Sequence, residues 1–121
     1  MSKYDVSISV IMGVYNQNDE KVLREAVDSI LNQTFKDFEF IIYDDGSQPD
    51  AALILEKIKK IDPRIVLIGQ EKNHGLAFSL NACIEQARGK YRARMDADDI
   101  SDPNRLKVQY DFLEKNPQYS W

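Results

Sequence analysis

Asp96, Asp98 and Asp99 place three carboxylates within four positions, directly after Tyr91-Arg92-Ala93-Arg94-Met95, and Asp102 follows shortly. Carboxylates this close repel one another unless a positive charge sits among them. Aspartate offers only hard oxygen ligands, which suit Mg²⁺ or Mn²⁺ better than zinc or copper. Such ions are held by one or two protein carboxylates, with phosphate oxygens and water completing the shell. The pattern therefore points to a divalent cation carrying a phosphorylated ligand. The competing reading is a solvated acidic turn that caps the next helix, for which Asp102-Pro103 is a suitable start.

A second acidic pair favours a site. Phe38-Glu39-Phe40-Ile41-Ile42-Tyr43 has the composition and length of a strand and runs into Asp44-Asp45-Gly46-Ser47, a turn-forming cluster. In an open α/β sheet, ligands bind outside the carboxyl ends of the strands. If the two acid-tipped strands are parallel neighbours, both clusters face one crevice.

The elements that would position these groups alternate. Val6 to Val14 reads as a buried strand, followed by the polar loop Tyr15-Asn16-Gln17-Asn18. Val22, Leu23, Ala26, Val27, Ile30 and Leu31 recur at the spacing of an amphipathic helix. After the second strand, Ala52, Leu53, Leu55, Ile58 and Ile61 predict a second helix that starts near Pro49-Asp50. Arg64 to Ile68 is a third strand; Leu76, Leu80, Cys83, Ile84 and Ala87 mark a third helix with Gly89 as its C-terminal cap. Lys90 to Met95 is the fourth strand, and Leu106, Tyr110 and Leu113 carry the fourth helix. This order predicts an α/β fold with a largely parallel sheet and helices on its faces.

The chain of 121 residues suffices for one domain and not for two. A net charge of −4 argues against electrostatic nucleic-acid binding. The best apolar run, Val6 to Val14, is too short to span a bilayer, and the N-terminus lacks a signal-peptide pattern. Cys83 is the single cysteine, so no internal disulfide forms, and its place on an apolar helix face marks a buried thiol. With one histidine and one cysteine, a structural zinc site is excluded. These features fit a cytoplasmic protein. Gln118-Tyr119-Ser120-Trp121 reads as the start of another strand, and domain boundaries fall in exposed linkers instead. An incomplete domain is therefore expected, with possible pairing of its C-terminal sheet edge with a second copy.

The chain resembles the glycosyltransferase family 2 proteins, nucleotide-sugar-dependent enzymes with a Rossmann-like GT-A fold. The resemblance rests on Ser9-Val10-Ile11-Met12-Gly13-Val14-Tyr15-Asn16, Leu31-Asn32-Gln33-Thr34-Phe35 and Ile42-Tyr43-Asp44-Asp45-Gly46-Ser47. It continues through Asn73-His74-Gly75-Leu76 with Asn81, Ala87-Arg88-Gly89-Lys90-Tyr91 and Arg94-Met95-Asp96-Ala97-Asp98-Asp99. An Asp-x-Asp occurs often by chance, but motifs in this order and spacing are specific. Gly13 departs from the family, where many relatives have proline.

The resemblance implies that residues 1–121 form the N-terminal nucleotide-sugar-binding part of such an enzyme, truncated after the Asp-x-Asp segment. It seats the nucleotide on Val14, Tyr15, Asn16, Asp44, Asp45, Arg94 and Asp96, with Asp45 accepting the imide N–H of uracil or thymine. It assigns a Mn²⁺ or Mg²⁺ ion to Asp98, with Asp96 and Asp99 as neighbouring candidates. Arg94, a charge on an otherwise buried strand, needs a partner, either an aspartate in a plain ion pair or a phosphate. The implied reaction is inverting transfer from a nucleotide-diphospho-sugar, UDP-linked by preference, to a carbohydrate or lipid-linked acceptor in polysaccharide or glycolipid synthesis. The inner face of the membrane is the implied setting of the full-length protein. The catalytic base of relatives lies beyond Trp121, so the chain alone is expected to be inactive.

Rival readings fit less well. A two-component receiver domain needs acids after its first strand and a phosphoacceptor aspartate after its third, where this chain has Gly13-Val14-Tyr15-Asn16 and Gly69-Gln70. A dinucleotide-binding domain needs a glycine-rich loop after the first strand. A metal-dependent nucleotidyltransferase is a further alternative, against which the Asp44-Asp45-Gly46-Ser47 cluster at its spacing argues, and a non-catalytic nucleotide-binding module is another, which turnover by the full-length protein would exclude.

Overall fold

A computed structural model describes residues 5–70 and 75–117. Its elements are β1 (Val6–Val14), α1 (Glu20–Leu31), β2 (Phe38–Asp45), α2 (Pro49–Lys59), β3 (Ile65–Gln70), α3 (Leu76–Gln86), β4 (Gly89–Arg94) and α4 (Arg105–Lys115). The four strands are all parallel, in the order β3-β2-β1-β4. This is the expected α/β layer with helices on both faces. Within the expected motifs, Asn73-His74 lies outside the described residues, as does Gln118–Trp121 with its expected pairing edge.

Local chemistry explains the elements. β1 is a continuous apolar run because both faces of a parallel sheet are covered. α1 starts where the Asp19 side chain accepts the Val22 N–H at 3.1 Å, and Leu23, Ala26, Val27 and Ile30 form its buried stripe. Pro49 opens α2 at a position where its missing N–H costs nothing. On one side of the sheet, Val10, Met12, Phe40 and Ile42 meet Leu23 and Ile30 of α1, Leu55 and Ile58 of α2 and Leu106 of α4. On the other, Ile11, Ile41 and Tyr43 pack with Cys83 and Leu80 of α3. Cys83 is fully buried as expected, and burial pushes its thiol up to about 11.

The structure corrects three expectations. The acid-tipped strands β2 and β4 are not neighbours, because β1 lies between them. Gly89 does not cap α3, whose C-cap is Ala87. Gly89 begins β4 instead, where a Cβ would stand 2.5 Å from the Ser9 nitrogen, so only glycine fits against β1. Finally, among the described residues β4 is an edge strand whose Lys90, Arg92 and Arg94 are exposed, not a buried one. Charges along an edge discourage pairing with another chain. Among the described residues, no helix is long and apolar enough to cross a membrane.

Candidate functional site

All four strands run the same way, so the loops after β1, β2 and β4 emerge on one side of the sheet. Asp45 and the acidic loop after β4 thus flank the loop after β1. This is the arrangement that an α/β sheet uses for ligands. The two clusters share a crest with β1 in the middle.

Asp44 and Asp45 do not act as a pair. Successive residues of a strand point to opposite faces, and here the pleat separates the carboxylates. Asp45 turns toward α3, is 3% exposed, and through Oδ2 accepts the backbone N–H of Gly75 at 2.8 Å. Gly75 is the N-cap of α3 and has φ +91°, a conformation that glycine adopts without penalty. Asp44 turns toward α2 and accepts the Ser47 N–H at 2.9 Å through Oδ1. It lines an open cavity of about 370 Å³ with Ser47, Glu56, Leu67 and Gly69. Of this pair, Asp45 alone is placed beside α3.

The residues after β1 divide similarly. Val14 belongs to the core, so its side chain is not available to a ligand. Asn16 sits at φ 52°, a left-handed position that asparagine tolerates. Its N–H donates to Ser47 Oγ at 2.9 Å, and its Oδ1 accepts the Gln48 N–H at 2.7 Å. It therefore staples the β1 loop to the β2 loop. Tyr15, half exposed, is the aromatic ring that this loop offers for stacking.

The acidic loop is anchored by its backbone. Met95 N–H donates to the Ile11 carbonyl at 3.0 Å, extending the β1–β4 ladder. Asp99 N–H donates to the Asp96 carbonyl at 3.1 Å, and Asp96 N–H to Asp99 Oδ2 at 3.2 Å. Arg94 reaches Asp96 at 3.7 Å, with side chains 54% and 56% exposed. Arg94 is not buried, contrary to expectation, and an exposed pair of this kind contributes little to stability.

Arg105 is a residue of this region that sequence reasoning did not single out. It donates to the Arg94 carbonyl at 2.6 Å and to Ser101 Oγ at 3.0 Å, bracing the loop from α4. Burial lowers its pKa, and the charge of Asp99 opposes that shift. An arginine at the start of a helix reads as solvated, and nothing in the sequence shows its partners. Tyr43, beneath Asp45, has its pKa raised by burial and then by the charges of Asp45, Cys83 and Asp44.

Asp96, Asp98 and Asp99 are all exposed. Among the described residues, no three histidine, cysteine or acidic side chains gather to hold a metal. The three aspartates are therefore not a closed carboxylate cage. They fit a magnesium-type ion that takes one or two carboxylates and fills its shell with phosphate and water.

Comparison with known proteins agrees with this geometry. TarS 1-349 from S. aureus, solved in complex with UDP-GlcNAc, superposes with a TM-score of 0.78 at 28% identity, over 90% of this chain and 31% of that one. Such neighbours place the layer in the GT-A class. An uncharacterized glycosyltransferase of Methanocaldococcus jannaschii, MJ1057, is 43% identical over 119 residues, covering 94% of this chain and 41% of that protein. TuaG of Bacillus subtilis, named for teichuronic acid biosynthesis, is 35% identical over 113 residues, 93% of this chain and 44% of its own. Residues 9–120 match Glycosyl transferase family 2, and the chain belongs to that family. It spans about two-fifths of the length of these curated relatives.

Proposed function

We propose that the chain is the donor-binding portion of an inverting glycosyltransferase that uses a UDP-linked sugar to extend a polysaccharide or glycolipid. The observation that carries this reading is the division of labour along the sheet crest. A buried carboxylate, Asp45, lies on one side of β1, and solvent-facing carboxylates lie on the other. The first suits a neutral base that offers an N–H. The second suits a diphosphate that arrives with a cation. The UDP-GlcNAc complex of TarS and the biosynthetic naming of TuaG support the donor and the polymer setting, respectively.

Tyr15 stacks on the base, and Asp45 accepts its imide N–H. A carboxylate offers about four lone-pair sites, so the bond from the Gly75 N–H does not by itself saturate Asp45. Asp98, with Asp96 or Asp99, would hold Mn²⁺ or Mg²⁺. A bound ion of this kind supplies Lewis-acid stabilisation of the leaving diphosphate. In the reaction, an acceptor hydroxyl attacks the anomeric carbon, the bond to the diphosphate oxygen breaks, and a carboxylate base takes the hydroxyl proton.

Titration calorimetry of UDP with and without Mn²⁺ tests the reading. Mn²⁺ should tighten UDP binding, and Asp98→Asn should cut that enhancement by about tenfold or more, given that even groups behind metal ligands are worth about 10–100-fold. Equal UDP affinity with and without Mn²⁺ would refute the metal assignment.

A further inference from the structure

We infer that Gln33 is a positioning residue for the acidic loop, clamping the segment after Asp99 onto the end of α1 so that the loop's carboxylates are held in place before a ligand arrives. The inference rests on the donor-binding reading above and extends it to a side chain outside the crest.

Gln33 is fully buried, which is unusual for a glutamine. Its Nε2 donates to the Ser29 carbonyl at 2.9 Å and to the Asp102 carbonyl at 2.6 Å. Its Oε1 accepts the Leu106 N–H at 3.0 Å. Two acceptors on one side and a donor on the other fix the orientation of the amide, because a flipped amide would set oxygen against two carbonyls. α4 has no side-chain cap from its own Asn104. The Leu106 N–H, one of the donors that a helix start leaves open, is therefore satisfied by α1's end.

Neighbouring contacts extend the clamp. Ser29 Oγ accepts the Ser101 N–H at 3.0 Å, and the Thr34 N–H donates to the Pro103 carbonyl at 2.9 Å. Ser101, Asp102 and Pro103 are thus each tied to α1 or the residues just after it. At the other end, Met95 is tied to β1. Asp96 to Ile100 span the gap between two fixed anchors. A short loop fixed at both ends has little freedom left to lose when a ligand binds.

The test compares the unmodified chain with Gln33→Glu, which keeps the size and the acceptor for Leu106 but removes both donors. Ser29→Ala, which removes the bond to Ser101 together with the Ser29 hydroxyl's bond to the Ala26 carbonyl within α1, is the milder second variant. Two readouts are taken: UDP affinity with and without Mn²⁺, and amide exchange at Asp99, Ser101 and Leu106 in the ligand-free chain. In Gln33→Glu, metal-free UDP affinity should stay the same while the Mn²⁺ enhancement falls about tenfold, as for a loop in its competent arrangement one time in ten. Exchange at Ser101 and Leu106 should quicken while that of Ile11 and Ile41 does not. Ser29→Ala should show the same pattern with a smaller drop, and it decides alone if Gln33→Glu does not fold. An equal loss of affinity with and without Mn²⁺ would make Gln33 a general structural residue and overturn the inference, as would an unchanged enhancement. If the unmodified chain shows no Mn²⁺ enhancement, the donor reading fails by itself. The exchange arm then decides for Gln33, and unchanged rates at Ser101 and Leu106 overturn its role.

Discussion

Glu39 should be one of the most costly residues to replace, although it lies at the far end of β2 from Asp45. It is a carboxylate on a central strand, 3% exposed. It accepts Ser9 Oγ–H at 2.6 Å, the Arg88 N–H at 2.6 Å and Arg88 Nε–H at 3.1 Å. Ser9 Oγ in turn accepts the Gly89 N–H at 2.8 Å, so the carboxylate joins β1, β2 and the start of β4. Glu39→Ala leaves the Ser9 hydroxyl buried without an acceptor, at about 1–3 kcal/mol, and removes the part-buried bond from the Arg88 N–H, at about 1 kcal/mol. The Arg88 guanidinium is half exposed and turns to water, adding little. The expected loss is about 2–4 kcal/mol, and Glu39→Gln should lose roughly half of that, because neutral bonds are about half as strong as charge-assisted ones. Urea unfolding followed by circular dichroism reads the change as a lower midpoint at constant slope. A loss below about 1 kcal/mol for Glu39→Ala would mean that the network does not hold these strands together.

Asp45→Asn should abolish base preference: the amide can still accept the Gly75 N–H but offers an N–H where uracil also has one, so the UDP advantage over CDP of about ten- to a hundredfold disappears. An unchanged UDP-to-CDP ratio in calorimetry would show that Asp45 does not read the base. Gly69→Ala should destabilise by about 1–3 kcal/mol, because its Cβ would press on the Asp44 carbonyl oxygen; an unaltered melting temperature argues against that close approach. Cys83 should resist thiol reagents at pH 8 until the chain unfolds, since burial holds its pKa at about 11. A raised folded pKa keeps the thiol neutral while the unfolded thiol ionises. Stability should therefore be unaffected by Cys83 at neutral pH and decline between about pH 9 and 11, a decline that Cys83→Ala removes.

The order of elements was legible in the sequence because apolar periodicity reports burial directly, as in Val6–Val14 and the stripe from Leu23 to Ile30. Strand order was not. Parallel strands are joined by helical crossovers, which leave no trace of who pairs with whom, so the position of β1 between β2 and β4 had to come from the structure. The same gap explains the site. Asp45 and the acidic loop stand out by composition, but the opposite orientations of Asp44 and Asp45 follow from the register of β2. The bonds of Asn16 to Ser47 and Gln48, which tie two loops together, are likewise invisible in the sequence. Gln33 and Glu39 are polar residues whose partners are far away in sequence, and no local pattern distinguishes a clamp from a solvated side chain.

The central place of β1 also governs when the fold can be completed. Val6 pairs with Gly89, whereas β2 pairs with the nearby β1 and β3. Bringing distant segments together carries a loop-closure cost that delays such pairing. A growing chain therefore builds β1, β2 and β3 first, and the Ile11 carbonyl, Ser29 and Gln33 exist as an empty seat before the acidic loop is synthesised. During that interval the apolar edge of β1 is unpaired, which is the condition under which chains associate wrongly. Arrival of β4 closes that edge and seats the acidic loop in one event. Late in folding, protection from aggregation and the seated acidic loop appear together, and pulse-labelled exchange should find β2 amides protected before those of β4.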